Sequence, residues 1–443
     1  MEELLQTFLN WNLNGNQGTS SSHNNNNHNN HQHSEPSSHE IFSTSSHNTP
    51  LTSTNPSREF PRSNLNTQVP TFVPRSDLYS PSSPNYQRGR NSHHDNDTYI
   101  LGSSGLNSVL PLRCISLAQA KGLISLLAKD WRGSQFLLEI LEKNSTHENV
   151  EKFFNEIRYH VIELTMDQYG KDVIQKFLDV CNEEQRTHIL AHITANLWNF
   201  VEIACSTTGS FVVKKLVQTL ETRTQVSSLM VALTVNFVTL VKNERGYHVI
   251  LECLNRFTVL VNKHIYFETI KYNVDLATNK YGCHVLQQCI RISDGMLKKT
   301  LIVDLLEKSL MLAQDLYGNY VIQCILEQEI PHVNSVLAAQ FEGRYVHLSM
   351  QKCSSHVVEK CLEFFNYIDR SKLILELVLS CHFQQLIQHE LGNYVIQVAL
   401  RVSRGRIRDV LVKAIKPHEA NLRNNPFSRA IFSSKYYKHR STF

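Results

Sequence analysis

The sequence predicts an all-α solenoid, an armadillo-like α-α superhelix of eight repeats that follows a tail without fixed structure. A pentapeptide typified by Asn319-Tyr-Val-Ile-Gln323 recurs eight times, at intervals of 36 to 39 residues. Its third and fourth residues, and the seventh and eighth counted from its start, are apolar and share one face of an α-helix. No such pattern persists in residues 1–100. A constant period of about 20–50 residues is typical of solenoids.

The first segment of the chain, residues 1–100, is predicted to be disordered. It is rich in Asn, Ser, His and Pro, and it contains none of the 10 cysteines. Such a composition buries too little apolar surface to offset the entropy of ordering. Met1–Trp11 holds its apolar cluster and could form a short partner-binding helix. The histidines are interpreted as part of a polar tract rather than as metal ligands, namely His23, His28, His31 and His33.

Residues 101–443 form the predicted folded body. The eight copies of the pentapeptide begin at residues 134, 171, 210, 247, 283, 319, 355 and 393. The repeats are expected at about 117–151, 152–190, 191–228, 229–264, 265–299, 300–336, 337–374 and 375–410, with terminal caps at 101–116 and 422–436. Each unit is expected to be a pair of helices, in which a Gly and an upstream Asp or Asn mark the start of the second helix.

The first, second and fifth positions of the pentapeptide form a separate stripe, predicted to face away from the core. The second position is an aromatic ring in six copies: Phe211, His248, His284, Tyr320, His356 and Tyr394. The first and fifth positions are mostly amide, hydroxyl, thiol or carboxylate groups. Rings that alternate with short polar groups suit flat ligands in series, because a nucleobase has a face to stack and an edge to hydrogen-bond.

Three strings resemble the recognition helices of the Pumilio (PUF) family of RNA-binding proteins: Gly318-Asn-Tyr-Val-Ile-Gln323, Gly282-Cys-His-Val-Leu-Gln287 and Ser354-Ser-His-Val-Val-Glu-Lys-Cys361. The resemblance covers about residues 110–440. It implies a right-handed superhelix of eight Pumilio repeats that binds single-stranded mRNA, one base per repeat. It also implies antiparallel binding, so that the last repeat reads the first base.

The resemblance implies base-edge contacts in repeats five to eight. The matching pairs are Asn393 and Gln397 for uracil, Ser355 and Glu359 for guanine, Asn319 and Gln323 for uracil, and Cys283 and Gln287 for adenine. The rings expected to stack beside these bases are Tyr394, His356, Tyr320 and His284, and His248 and Phe211 follow in repeats four and three. The implied 5′ half of the RNA element is U-G-U-A.

Repeats one to four depart from the family's pattern, and relaxed base choice is expected at bases five to eight. Their candidate contacts are Tyr247 in repeat four, Ser210 and Lys214 in repeat three, Lys171 and Gln175 in repeat two, and Ser134 and Gln135 in repeat one. Leu251, the fifth position of repeat four, cannot hydrogen-bond a base edge. Lys214 suits a phosphate as well as a base. Asp172 stands where repeat two should have its ring.

Several other functions are disfavoured. No G-x-S-x-G, Walker loop or H-E-x-x-H motif is present, so an enzyme is not expected. No C-x-x-C occurs, and the cysteines are predicted to be reduced thiols without metal or cofactor. The start of the chain does not resemble a secretory signal, and Thr224–Val241 is predicted to be a core helix rather than a membrane span. The net charge of +4 is too small to identify a nucleic-acid binder by itself.

The resemblance also implies a cellular role. Such a protein would bind the 3′ untranslated regions of mRNAs in the cytoplasm as a monomer, and would regulate translation and mRNA decay. Its partners would be deadenylase or translational-repression proteins. The alternative is a divergent helical-repeat scaffold that binds proteins, with little RNA specificity.

Overall fold

The computed structural model describes residues 120–438, and every regular element in that range is a helix. The predicted tail, the segment Met1–Trp11 and the predicted N-terminal cap at 101–116 lie outside the described residues. Within the described range, the helices stack into a superhelical repeat solenoid around one continuous apolar core. The predicted fold class is confirmed.

Each of repeats two to eight contains three helices rather than the expected pair, and the described part of repeat one contains two. The first helices of repeats two to eight are His147–Ile157, Glu183–Thr194, Arg223–Val235, Lys263–Lys271, Gly295–Glu307, Pro331–Phe341 and Tyr367–Leu379. The second helices are short: Ile124–Leu127, Val161–Met166, Leu197–Cys205, Phe237–Val241, Asn273–Ala277, Ser309–Gln314, Tyr345–Ser349 and Phe383–Gln388. The third helices carry the pentapeptides: Trp131–Lys143, Gly170–Val180, Gly209–Thr219, Gly246–Arg256, Gly282–Ile292, Gly318–Leu326, Ser354–Phe364 and Gly392–Val402.

The unexpected second helix arises because the upstream amphipathic stretch bends. Lys308 has φ −99° and ψ 9°, which ends one helix and begins the next within the stretch that the apolar pattern joined. Asn236 divides the predicted core helix Thr224–Val241 in the same way, and its Nδ2 donates to the Leu197 carbonyl of the preceding repeat at 3.3 Å. No helix among residues 120–438 is long and apolar enough to cross a membrane.

The third helices of successive repeats pack side by side through the whole array. Their apolar face is buried as predicted: Val321, Ile322, Ile325 and Leu326 are all inaccessible to solvent. After repeat eight, the chain continues with Gly405–Ile415, a 3-10 turn at Lys416–His418, and short helices at Glu419–Leu422, Arg429–Ser433 and Lys435–Lys438. The helix Arg429–Ser433 packs on the third helix of repeat eight and extends the row.

The cysteines in the described range are free thiols. Cys253, Cys289 and Cys361 are fully buried at one recurring position of the third helices. They are small core residues, as their position in the repeat predicts.

A tight turn aims each third helix. In repeat six, Asp315 Oδ1 accepts hydrogen bonds from the N–H groups of Tyr317 and Gly318, at 2.9 and 2.7 Å. The capping roles predicted for such Asp and Asn residues are confirmed, and His389 Nδ1 takes the same place in repeat eight. The glycine is needed because a Cβ atom on Gly318 would lie 2.8 Å from the Leu312 carbonyl oxygen.

Gly209→Ala is expected to lower stability more than Gly282→Ala, its matched control. A Cβ at residue 209 would lie 2.4 Å from the backbone oxygen of Ile203, whereas at residue 282 the backbone oxygen of Leu276 is 3.1 Å away. Overpacking of this kind costs about 1–3 kcal/mol. Thermal unfolding followed by circular dichroism should show a lower midpoint for Gly209→Ala. Equal midpoints for the two variants would contradict the close-approach explanation.

Candidate nucleic-acid interface

The side-by-side third helices place the second-position rings in a row on one face of the solenoid. Phe211 and Tyr394 are 41% and 50% exposed. His248, His284 and His356 are also exposed, and Tyr320 is half-buried. Since large rings normally prefer the interior, a row of them in solvent suggests a surface built for stacking.

The first position is set deeper than expected. The predicted exposure of this position is wrong in six repeats, where the side chain is only 1–3% exposed: Ser134, Ser210, Cys283, Asn319, Ser355 and Asn393. The cause is local, because the residue begins the helix and its side chain turns back into the preceding turn. Ser134 Oγ, for example, donates to the Trp131 carbonyl at 2.9 Å.

Repeats six and eight hold the same amide pair in the same arrangement. Asn319 Nδ2 donates to the carbonyls of Asp315 and Leu316 at 2.9 Å each, and Asn393 Nδ2 donates to those of His389 and Glu390 at 2.8 Å each. Carbonyl oxygens only accept, so these bonds fix the orientation of both amides. Asn Oδ1 then accepts from the Nε2 of Gln323 at 3.0 Å or of Gln397 at 2.9 Å.

The fixed pair has a defined capacity for hydrogen bonds. The bonds within residues 120–438 leave Oε1 and the second N–H of each glutamine available. Asn Oδ1 keeps one lone pair as well. A donor beside acceptors complements the edge of uracil, which presents an N3–H between two carbonyl oxygens.

Repeat seven presents a carboxylate in place of the amide. Glu359 is half-buried, and its Oε1 lies 3.5 Å from His356 Nδ1. This carboxylate raises the pKa of the His356 imidazole. The buried Ser355 Oγ has no hydrogen-bond partner among the described residues. A carboxylate accepts two N–H groups side by side, as guanine's N1–H and N2–H offer, and the unpaired hydroxyl is available to the same ligand.

Repeat five combines a thiol with an amide. Burial raises the pKa of Cys283 to about 12, so the group remains a neutral thiol. Its Sγ donates to the Lys280 carbonyl at 3.4 Å. Gln287 is buried; its Oε1 accepts from Arg291 at 3.2 Å, and its amide, which also interacts with the Cys283 sulfur, supplies the N–H groups that can donate. Adenine's N1 is an acceptor that such a group can reach.

Sequence reasoning missed the role of Arg291, which stands four residues after Gln287 on the same helix. The i,i+4 spacing is the signal that could have found it.

The rings and edge groups of neighbouring repeats combine into a series of slots. The ring of one repeat lies beside the first position of the repeat before it: Phe211 is 5.9 Å from Lys171 Nζ, and the rings of His284 and Tyr247 are 5.8 Å apart. A slot is therefore bounded by the rings of two successive repeats, and the first and fifth positions of the earlier repeat form its back wall.

The slots of repeats two and three contain cations rather than amide pairs. Lys214 Nζ lies 4.6 Å from the centre of the Phe211 ring. Lys171 Nζ is 2.7 Å from the Asp172 carboxylate, which also accepts from Gln175 Nε2 at 3.3 Å. In repeat one, Gln135 is exposed. These side chains provide charge, but they do not present a fixed set of donors and acceptors that matches one base edge.

Tyr247 in repeat four packs against the rings of its neighbours instead of presenting an edge. Its partner Tyr281, from the turn of repeat five, was not predicted as part of the interface. Within the described residues, no group of three or more His, Cys, Asp or Glu side chains could hold a metal ion.

Comparison with known proteins identifies the family of these repeats. The family model described as "Pumilio-family RNA binding repeat" matches residues 160–194, 274–306, 310–329, 344–378 and 382–416. Among solved structures, the Puf4 RNA-binding domain bound to the HO endonuclease RNA 3′ UTR recognition sequence is 28% identical. The structural match covers 70% of this chain and 98% of that domain, with a TM-score of 0.65.

Curated relatives from Arabidopsis thaliana are similar over most of the chain. "Putative pumilio homolog 8, chloroplastic" is 40% identical over 76% of this chain and 64% of the relative. "Putative pumilio homolog 7, chloroplastic" is 36% identical over 84% of this chain and 57% of the relative. The chain thus spans somewhat more than half the length of these relatives. The repeats, their helical stacking and these similarities together show that the chain belongs to the Pumilio (PUF) family of RNA-binding proteins.

Proposed function

We propose that this protein binds single-stranded mRNA sequence-specifically and recognises a 5′-U-G-U-A element through repeats eight to five. The observation that carries the proposal is the Asn–Gln arrangement shared by repeats six and eight, with a Ser–Glu pair between them. Two identical readers on either side of a different one favour an element with the same base at positions one and three. The thiol and glutamine of repeat five add adenine at position four.

The relaxed 3′ half follows from the groups that repeats one to four provide. Lys171 and Lys214 bear positive charge beside an aromatic ring, an arrangement that suits a phosphate or the face of any base. Such contacts add affinity without choosing a base. The protein therefore takes its specificity from the last four repeats and part of its affinity from the first four.

The cellular role is proposed from the family and from its relatives. The Puf4 domain was solved with a 3′ UTR recognition sequence, which supports binding of 3′ untranslated regions here. Regulation of translation and mRNA stability, recruitment of deadenylase or repression proteins and action as a monomer complete the proposal. The cytoplasmic location stays a prediction, and the names of two relatives contain the word "chloroplastic".

The proposal is tested by the affinity of the full chain for a short RNA that contains U-G-U-A and for a scrambled RNA of the same composition. Fluorescence anisotropy at one fixed salt concentration is the measurement, because the contribution of phosphate contacts to affinity changes with salt. A mismatch usually costs about 1–3 kcal/mol, so a scrambled element should bind at least about tenfold more weakly. Equal weak binding to both RNAs would favour the protein-scaffold alternative.

A further inference from the structure

Tyr247 is an exception among the first positions of the eight repeats. In six repeats this residue is Asn, Ser or Cys, and its side chain is buried in the turn. Lys171 and Tyr247 are the other two, and Tyr247 is half-buried. A phenol is too large for the space that a serine or asparagine fills at the start of the helix, so it projects into the slot in front.

The Tyr247 ring contacts both of the rings that bound the slot of repeat four. Its centre is 4.0 Å from that of His248 and 5.8 Å from that of His284, with interplanar angles of 34° and 31°. It also stacks on Tyr281 at 5.4 Å and 27°. The separations from His284 and Tyr281 are typical of aromatic side chains in contact, and that from the adjacent His248 is shorter. The phenol thus makes the ring-on-ring contacts that a base would otherwise make there.

The fifth position, in the back wall of the same slot, has no group that could hydrogen-bond a base. Leu251, at the fifth position, is partly buried against the core and has no donor or acceptor. Partial desolvation lowers the pKa of both His248 and His284, which favours the neutral form of the two imidazoles. Displacing Tyr247 would therefore break three ring contacts and form no base-edge hydrogen bond.

We propose that Tyr247 takes the place of a nucleobase in repeat four, so that the fifth nucleotide of the bound RNA passes this repeat with its base outside the stack and unread. The inference rests on the proposed function, since it needs the RNA register set by repeats eight to five. It makes the nucleotide that follows the U-G-U-A element serve only as a spacer. Tyr247 is then a specificity-determining residue that removes a base preference rather than creating one.

An abasic nucleotide tests the inference directly with the full chain. An abasic site at nucleotide five should change the dissociation constant by less than about twofold. The same change at nucleotide four, read by repeat five, should weaken binding about tenfold or more, because base stacking and edge contacts are each worth about 1–3 kcal/mol. Equal losses at nucleotides four and five would overturn the inference but leave the U-G-U-A assignment standing. Equal binding of these RNAs and a scrambled RNA would overturn both.

A gain of specificity provides the second test. Tyr247→Asn with Leu251→Gln installs the amide pair of repeats six and eight, and should create a preference for uracil at nucleotide five of about tenfold. Leu251→Gln alone retains the phenol and should gain no preference. Binding of U-G-U-A RNA with an abasic fifth nucleotide confirms that each variant is folded. A uracil preference in Leu251→Gln alone would overturn the inference, because the slot would then be open.

Discussion

Ser355→Asn combined with Glu359→Gln should move the preferred second base from guanine to uracil. The double variant gives repeat seven the amide pair of repeats six and eight. The new Asn amide can donate to the carbonyls of Gln351 and Lys352, which stand four and three residues earlier, as the acceptors of Asn319 and Asn393 do. With the carboxylate gone, guanine's two N–H donors lose their shared acceptor.

The double variant should bind RNA with guanine at the second base more weakly and RNA with uracil there more tightly. Each base-edge contact is worth about 1–3 kcal/mol, so U-U-U-A RNA should bind about tenfold or more tightly than U-G-U-A RNA. The wild-type chain should show the reverse order. Preferences at the first, third and fourth bases serve as internal controls and should not change. A guanine preference that survives the double substitution would contradict the assignment of Ser355 and Glu359.

Removal of the reading glutamines should have the second largest effect. Gln323→Ala and Gln397→Ala each delete the half-exposed amide that Asn319 or Asn393 holds in place. Each should weaken binding to U-G-U-A RNA by about 1–3 kcal/mol. The two sites are two repeats apart and share no partner, so the losses should add in the double variant.

The control for these substitutions is Gln314→Ala. Gln314 is exposed on the second helix of repeat six, and among residues 120–438 its Nε2 donates to the Leu310 carbonyl of its own helix. Isothermal titration calorimetry with matched and scrambled RNA separates base-specific binding from sequence-independent binding. Losses of the same size on both RNAs would mean that the glutamines do not read bases.

The regular parts of this molecule were predictable because they obey a helical period. The apolar residues Val321, Ile322, Ile325 and Leu326 follow from spacing alone, and the structure buries all four. The rings and amides of the stripe follow from the same spacing. What spacing cannot show is where a helix breaks, since Lys308 and Asn236 interrupt apolar stretches without a Gly or Pro to mark the break.

The depth and surroundings of the first position depend on a neighbouring element as well. Asn393 is buried because the preceding turn folds over it, and that turn is capped by His389, a residue outside the Asp and Asn pattern. The contacts of Tyr247 with Tyr281 and His284 come from the next repeat. Such contacts follow from three-dimensional stacking and have no signature in a single repeat.

The central claim is that repeats eight to five read U-G-U-A in that order. Selection of RNA from a random pool by the full chain tests it most directly, since no base is assumed in advance. The enriched RNAs should share U-G-U-A, followed by a fifth position without preference and a weakly defined 3′ half. Enrichment of an unrelated element, or recovery of RNAs that share no sequence, would contradict the claim.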